Sequence, residues 1–367
     1  MRRVDEIKQQ LRKKPKGLVP LSDDKFLSTG STLLNLACTG RTDGGFIKGH
    51  YILFVGDSDS GKTFLSLTCL AEATLNRHFK DYRLIYDAPE GGALMDIERF
   101  FGKRVADRLE PPAGDRVSPI HSQTVEDFYY NIDDALKRGP FIYVLDSQDC
   151  LTSKAEVEKF KRGKRAARKE RAGEDAERVA GSYGDGKAKA HSSNLRRLMG
   201  PLQESGSILI VVNQTRDSFD PFEKSTHSGG RALKFYATLQ LWSSPAGKLD
   251  KTVNEKKRQL GIVARVKVKK NRITGRDRSV LVNIFHSCGL DDTGSMVQYL
   301  IGEKYWKAVK GKVTATGLGP EFVGSEEKVV RWIEDGNREG DLRELVGVVW
   351  SEIERQCEVH RKSRYGG

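Results

Sequence analysis

The chain contains no apolar run approaching the roughly 20 residues of a membrane-spanning helix. Its charged start, Met1-Arg2-Arg3-Val4-Asp5-Glu6, lacks the apolar stretch of a secretory signal. No membrane partner is therefore expected, and the default compartment is cytoplasmic. Cysteine is sparse. Cys38, Cys69, Cys150, Cys288 and Cys357 are scattered, odd in number and never paired as C-x-x-C, which argues for reduced thiols and against a zinc site. The excess is of positive charge: 63 Lys and Arg against 50 Asp and Glu give a formal charge of +13. That balance suits a polyanionic partner, nucleic acid before membrane, and it also favours plain solubility. With 367 residues, 37% of them hydrophobic, the chain is long enough for one large or two ordinary domains with a packed core.

Residues Gly56-Asp57-Ser58-Asp59-Ser60-Gly61-Lys62-Thr63 fit the phosphate-loop pattern G-x-x-x-x-G-K-[ST]. The flanks agree with it: Tyr51-Ile52-Leu53-Phe54-Val55 reads as a buried strand, and Phe64 to Leu70 as the start of a helix. In such a loop backbone N–H groups wrap a polyphosphate, Lys62 reaches the β/γ-phosphates and the Thr63 hydroxyl ligates Mg²⁺. A nucleoside triphosphate with Mg²⁺ is the expected ligand.

Further apolar runs at 83–87, 141–145, 207–212 and 237–242 read as strands, with helices at 62–76, 124–137 and 194–204 between them. This alternation predicts an α/β fold with a mainly parallel central sheet. Segments 262–270 and 278–285 alternate like a half-exposed hairpin, with Thr274-Gly275 supplying the turn, and beyond Gly289 the texture becomes short, glycine-punctuated helices. In a parallel sheet ligands bind outside the carboxyl ends of the strands, so Asp146, ending strand 141–145, is placed to hold Mg²⁺. Asp87 and Glu90 follow strand 83–87 in the same way. A carboxylate there orients and deprotonates the attacking water. Glu90 is assigned that role and Asp87 a hydrogen-bonding one, although the sequence alone does not separate them.

Ordered landmarks resemble the RecA-type recombinases: Ser28-Thr29-Gly30-Ser31, Ile85-Tyr86-Asp87-Ala88-Pro89-Glu90, Leu145-Asp146-Ser147, Val212-Asn213-Gln214, Gly229-Gly230-Arg231-Ala232-Leu233-Lys234-Phe235-Tyr236-Ala237 and Lys267-Val268-Lys269-Lys270-Asn271-Arg272. The resemblance spans roughly residues 27 to 310. Gly289-Leu290-Asp291-Asp292 with Met296-Val297-Gln298-Tyr299-Leu300 is similar to the bacteriophage (UvsX-like) branch, for which the host cytoplasm would be the compartment. The resemblance implies a P-loop NTPase of RecA-like fold in which Lys62 and Thr63 hold ATP and Mg²⁺, Glu90 activates water and Gln214 senses the γ-phosphate. Residues 215–230 would form the second DNA loop, with Arg216, Lys224 and Arg231 on phosphates and Phe219 and Phe222 against bases. Lys270 and Arg272 would contact ATP held by a neighbouring copy.

The departures are equally informative. Residues 154–190 are longer than the expected first DNA loop, and Lys159, Lys161, Arg162, Lys164, Arg165, Arg168, Lys169 and Arg171 crowd thirteen positions beside one acid, Glu170. This reads as a basic arm gripping DNA backbone, with a solvated charged helix as the alternative. Residues 1–26 form a short basic arm without a recognisable polymerisation motif, and Pro89 before Glu90 bears on where the base lies. The expected organisation is the arm at 1–26, an ATPase core at 27–286 and a small C-terminal α/β domain at 287–367. The expected function is a DNA-dependent ATPase that forms homo-oligomeric filaments on single-stranded DNA and pairs it with duplex DNA, with mediator or single-strand-binding proteins as further partners. A RecA-fold helicase or a single-strand annealing ATPase is the alternative.

Overall fold

The computed structural model describes residues 21–91, 95–172, 185–217, 225–359 and 361. Five apolar runs form its frame: β1 (Tyr51–Gly56), β2 (Arg83–Asp87), β3 (Phe141–Leu145), β4 (Ile208–Asp217) and β5 (Leu239–Val253). They lie side by side and parallel in the order β5-β1-β4-β3-β2, with a two-residue edge strand, Leu109–Glu110, beyond β2. Past β5 the sheet turns antiparallel through β6 (Lys256–Asn271), β7 (Ser279–Phe285) and β8 (Gly289–Asp291). The fold is thus α/β with a mainly parallel central sheet, as its alternating pattern predicts.

Successive side chains of a strand point to opposite faces, so β1 serves two cores. Ile52 and Phe54 join one cluster, and Tyr51, Leu53 and Val55 the other. Helices α1 (Thr32–Thr39) and α2 (Lys62–Leu75) cover the first face; α3 (Val125–Lys137) covers the second. The start of α3 is written locally: Thr124 and Asp127 exchange side-chain and backbone hydrogen bonds in a capping box. The exposed α4 (Lys154–Arg171) leaves the sheet, and α5 (Asp185–Ser205) and α6 (Arg231–Tyr236) return to the second face.

The C-terminal region begins with α7 (Asp292–Gly302) and continues through a small antiparallel sheet, β9 (Lys307–Val309), β10 (Lys312–Ala315) and β11 (Phe322–Gly324), to α8 (Glu326–Asp335) and α9 (Glu339–Gln356). Trp306, Val313, Ile333, Leu342 and Leu345 are buried there and continuous with the core under α1 and α2. Among the described residues no helix is long and apolar enough to cross a membrane, and all five cysteines are unpaired.

Two elements differ from the sequence expectation. The hairpin expected to start near 262 begins earlier, because β5 and β6 run on as a paired ribbon turned at Asn254-Glu255, both at positive φ. Most residues of the ribbon from 246 to 260 are exposed, so no apolar alternation marks it. The last helix, α9, is 18 residues long rather than short. Gly340 and Gly347 disguise it, and Gly347 has a packing cause: a Cβ there would lie 2.9 Å from Thr42 Cγ2.

Glu354 docks α9 onto the β6–β7 turn, accepting from the guanidinium of Arg276 and, at 2.7 Å, from Arg278 Nη2. The Arg278 guanidinium holds the Glu354 carboxyl below the usual glutamate range. A depressed carboxyl contributes stability that is present above its unfolded pKa, ~4.3, and is lost as pH falls through the folded value. Glu354→Gln should therefore lower unfolding stability at pH 7 by about 1–3 kcal/mol, the scale of charge-assisted hydrogen bonds. In denaturant titrations the gap from wild type should close as the pH is taken below ~4.

Candidate nucleotide site

Strand register brings the carboxyl ends of β1, β4, β3 and β2 to one edge. Gly56 pairs with Gln214, Leu145 with Val211, and Asp87 with Leu145. Whatever follows each strand therefore faces a common crevice.

The loop after β1 bends through Asp59 at φ 56° and Gly61 at φ 82°, the latter immediately before α2. It is held from within, because Ser60 Oγ donates to the Asp57 carbonyl at 2.7 Å and Ser243 Oγ donates to the Ser60 carbonyl at 2.6 Å. The first N–H groups of α2 have no carbonyl four residues back, so with the positive end of the helix dipole they form an anion cradle. Lys62 is buried, and its ammonium donates to the Asp57 carbonyl at 2.5 Å. Burial lowers its pKa, and the carboxylates of Asp146, Asp57, Glu90 and Asp149 oppose that shift.

Asp146 is the converse case. Burial raises its pKa, while hydrogen bonds from Thr63 and from Tyr86, whose hydroxyl is 3.1 Å from Oδ2, work against the rise. The Thr63 hydroxyl and the Asp146 carboxylate thus stand together as hard oxygen donors, and Mg²⁺ accepts such a set when phosphate and water complete its shell. The donor set fits the ion.

Glu90 and Asp87 part company here. The Glu90 carboxylate receives the Ser147 hydroxyl and lies 3.3 Å from Gln214 Nε2. The Cys150 thiol also hydrogen-bonds Glu90, and burial, followed by that carboxylate, pushes the thiol up to about 11. Asp87 is wholly buried and accepts the Ser122 N–H at 3.0 Å, the Ser122 hydroxyl and the Tyr143 hydroxyl at 2.6 Å. His121 Nδ1 is 3.5 Å from Asp87 but accepts the Ala88 N–H at 3.1 Å, so it has no proton to give and the contact is not an ion pair. Asp87 ties β2 to β3 and to Ser122; Glu90 faces the crevice.

The end of β4 is held from two sides. The Gln214 N–H donates to Asp149 Oδ2 at 2.6 Å, the Arg216 guanidinium is 3.4 Å from the same carboxylate, and the Thr215 hydroxyl donates to Asp57. Arg231 is exposed at the start of α6. Phe219, Phe222 and Lys224 lie outside the described residues. On α4, Lys159, Lys161, Arg162, Lys164, Arg165, Arg168, Lys169 and Arg171 stand largely exposed, with Lys161 paired to Glu158 at 2.8 Å.

Lys270 and Arg272 are remote from all of these. Asn271 pairs with Leu239, which pairs with Ile52 near the start of β1; at ~3.3 Å per residue this is about 13 Å back along the strand from Gly56. There the Lys270 ammonium donates to the carbonyls of Lys234 and Phe235 at 2.7 and 2.8 Å, and Arg272 donates to the Phe235 carbonyl at 2.8 Å. Burial, then Arg272 and Lys234, pushes the Lys270 pKa down to about 8.

Sequence reasoning missed Tyr86, Ser147, Asp149 and Cys150 as parts of this edge. Asp149 carried the one usable signal, a second acid three residues after Asp146. The geometry separates the two carboxylates experimentally. Asp87→Asn should lower the stability of the protein by about 1–3 kcal/mol, because it puts an amide N–H₂ among groups that donate. Glu90→Gln should leave the thermal midpoint within error of wild type.

Comparison with known proteins accords with this arrangement. The RecA N-terminal domain family matches residues 141–291, from the start of β3 to the end of β8. Protein RecA of Prochlorococcus marinus (strain MIT 9515) is 26% identical over 349 residues, covering 92% of this chain and 80% of the relative. Protein RecA of Cytophaga hutchinsonii is 27% identical over 293 residues, covering 75% and 68%. Among solved structures, the crystal structure of the RadB recombinase gives a TM-score of 0.47 at 19% identity, over 72% of this chain and 99% of that one. The domain match and the similarity to two bacterial RecA proteins accord with a RecA-like α/β fold.

Proposed function

We propose that the protein is a DNA-dependent ATPase and recombinase of the bacteriophage branch. It forms filaments on single-stranded DNA and promotes homologous pairing and strand exchange with duplex DNA in recombination and repair. The observation that carries the reading is the convergence of Lys62, Thr63, Asp146, Glu90 and Gln214 on one sheet edge, beside the stems of segments 154–190 and 215–230. ATP with Mg²⁺ supplies the phosphoryl group and the cation that offsets its charge. Lys62 and the loop N–H groups bind the phosphates, Thr63 and Asp146 hold the metal, and Glu90 takes the proton of the attacking water. Gln214 bonds the base and continues into residues 215–230, so nucleotide state and DNA grip share one strand. The cations of α4, with Arg216, Lys224 and Arg231, neutralise backbone phosphate while Phe219 and Phe222 meet bases. The chain is read as an arm at 1–26, a core at 27–286 and a C-terminal domain at 287–367.

Electron microscopy with ATP and single strands tests the assembly: helical filaments are expected, whereas closed rings would favour a helicase of the same fold. Glu90→Gln should keep ATP and DNA binding while DNA-stimulated turnover falls by roughly 10²-fold or more, the usual contribution of a general base. Wild-type turnover in that variant would remove Glu90 from the chemistry.

Lys270 and Arg272 lie too far from their own phosphate loop to serve it, which supports action on the ATP of a neighbouring copy. A protein with both as Ala should bind ATP and hydrolyse it poorly. Mixed with Lys62→Ala protein, it should regain activity, because some interfaces then combine an intact loop with intact cations. Turnover should peak at an intermediate mixing ratio. A flat response from mixed filaments would confine the two cations to their own subunit.

A further inference from the structure

A run of hydrogen-bonded polar side chains, buried at its α5 end, leads from α5 to the nucleotide edge. The Tyr129 hydroxyl on α3 is 2.9 Å from His191 Nδ1, and the Gln148 amide is 3.1 Å from His191 Nε2. Ser228 Oγ lies 2.9 Å from Gln148 Oε1 and 2.5 Å from Asp149 Oδ1. Asp149 then accepts the Gln214 N–H, and the Gln214 amide reaches Glu90. His191 and Gln148 have no exposed surface. Burial pushes the His191 pKa down to about 3, so its ring is neutral. A neutral imidazole has one N–H and one lone pair: the Gln148 amide N–H₂ donates to the lone pair on Nε2, which leaves the Nδ1–H to donate to the Tyr129 hydroxyl.

A second observation concerns the stems of the two segments assigned to DNA. Both close on the first turns of α5. A Cβ at Gly186 would lie 2.6 Å from Ser153 Oγ just before α4, and one at Gly230 would lie 2.8 Å from Ala188 Cβ. At Gly229 it would lie 2.9 Å from the Gln148 amide nitrogen. Packing this close transmits displacement instead of absorbing it. Movement of either stem must therefore shift the α5 turn that carries His191 or the turn that carries Gln148.

We propose that Tyr129, His191, Gln148, Ser228 and Asp149 form a coupling element through which a strand held by segments 154–190 and 215–230 sets the position of Gln214 against Glu90, and so the rate of ATP turnover. The proposal rests on the reading that these segments bind DNA and that Glu90 is the base. His191 touches neither DNA nor nucleotide in this scheme; it is a positioning residue. Its place beside the two stems explains why a buried histidine is bonded on both sides.

The test uses the full chain as wild type, His191→Leu, His191→Gln and Ser228→Ala. Turnover is measured against ATP concentration with and without a thymidine oligonucleotide, and oligonucleotide affinity is measured in parallel. His191→Leu and Ser228→Ala should lose about tenfold of the DNA stimulation of kcat, within the usual range of coupling factors. KM for ATP should stay within about twofold of wild type in both variants, and oligonucleotide affinity should do so in His191→Leu, well inside that range. His191→Gln, which keeps a donor and an acceptor, should restore stimulation. If His191→Leu fails to fold, the partly exposed Ser228 carries the test alone. Wild-type protein that ignores DNA would overturn the functional reading and the coupling with it. Stimulated wild type with equally stimulated Leu and Ala variants would overturn the coupling alone, as would a defective His191→Gln beside a normal Ser228→Ala.

Discussion

An ammonium drawn out of water has to be matched by negative charge, and at Lys62 the match comes from four acids on three stretches of chain. Asp57 belongs to the loop itself, Glu90 follows β2, Asp146 ends β3 and Asp149 lies in the turn beyond it. These acids meet only because the strands are parallel and in register, with Leu145 opposite both Asp87 and Val211 and Gly56 opposite Gln214. A slip of one residue would turn each strand's side chains to the other face, mixing the two cores and scattering the charges. The same register that separates Ile52 and Phe54 from Tyr51, Leu53 and Val55 thus keeps a buried cation tolerable.

The sequence discloses those parts of this design that are encoded locally. Strands buried on both faces read as continuous apolar runs, so β1, β2 and β3 are legible to within a residue, as are the phosphate loop and the position of Asp146. The part of the β5–β6 ribbon from 246 to 260 is largely exposed and leaves no periodic trace, and the glycines of α9 conceal a helix whose reason for Gly347 is a loop some 300 residues earlier. Glu90 and Asp87 are three residues apart in the sequence. What divides them is Ser122 and Tyr143, which take up Asp87 from distant positions. His191 sits in a polar helical stretch like any surface residue, and its burial is a property of α3 and the turn at Gln148.

The two edges of the parallel sheet have opposite characters. One gathers carboxylates around a phosphate loop; the other presents Lys270 and Arg272 anchored by the carbonyls at the end of α6. In the proposed assembly such polarity favours head-to-tail contact, where one surface meets a different surface of the next copy. When the rotation between copies does not close, that contact generates an open helix. In that proposed assembly each nucleotide site would be shared, since a chain cannot bring its own far edge round to its own loop.

The ribbon carries a further consequence. Beyond Ser243, β5 pairs only with β6 among the described strands, and β6 outside 261–267 has no second partner among them. Free strand edges invite addition of other chains in register, the route to aggregation. Here the ribbon bears Lys248, Lys251, Lys256, Lys257 and Arg258 against only Asp250 and Glu255, and its course is broken by irregular register at Pro245 to Gly247 and at Leu249 to Asp250. Like charge and a kinked edge make each ribbon a poor template for its copies, even where an assembly would crowd many of them along one axis.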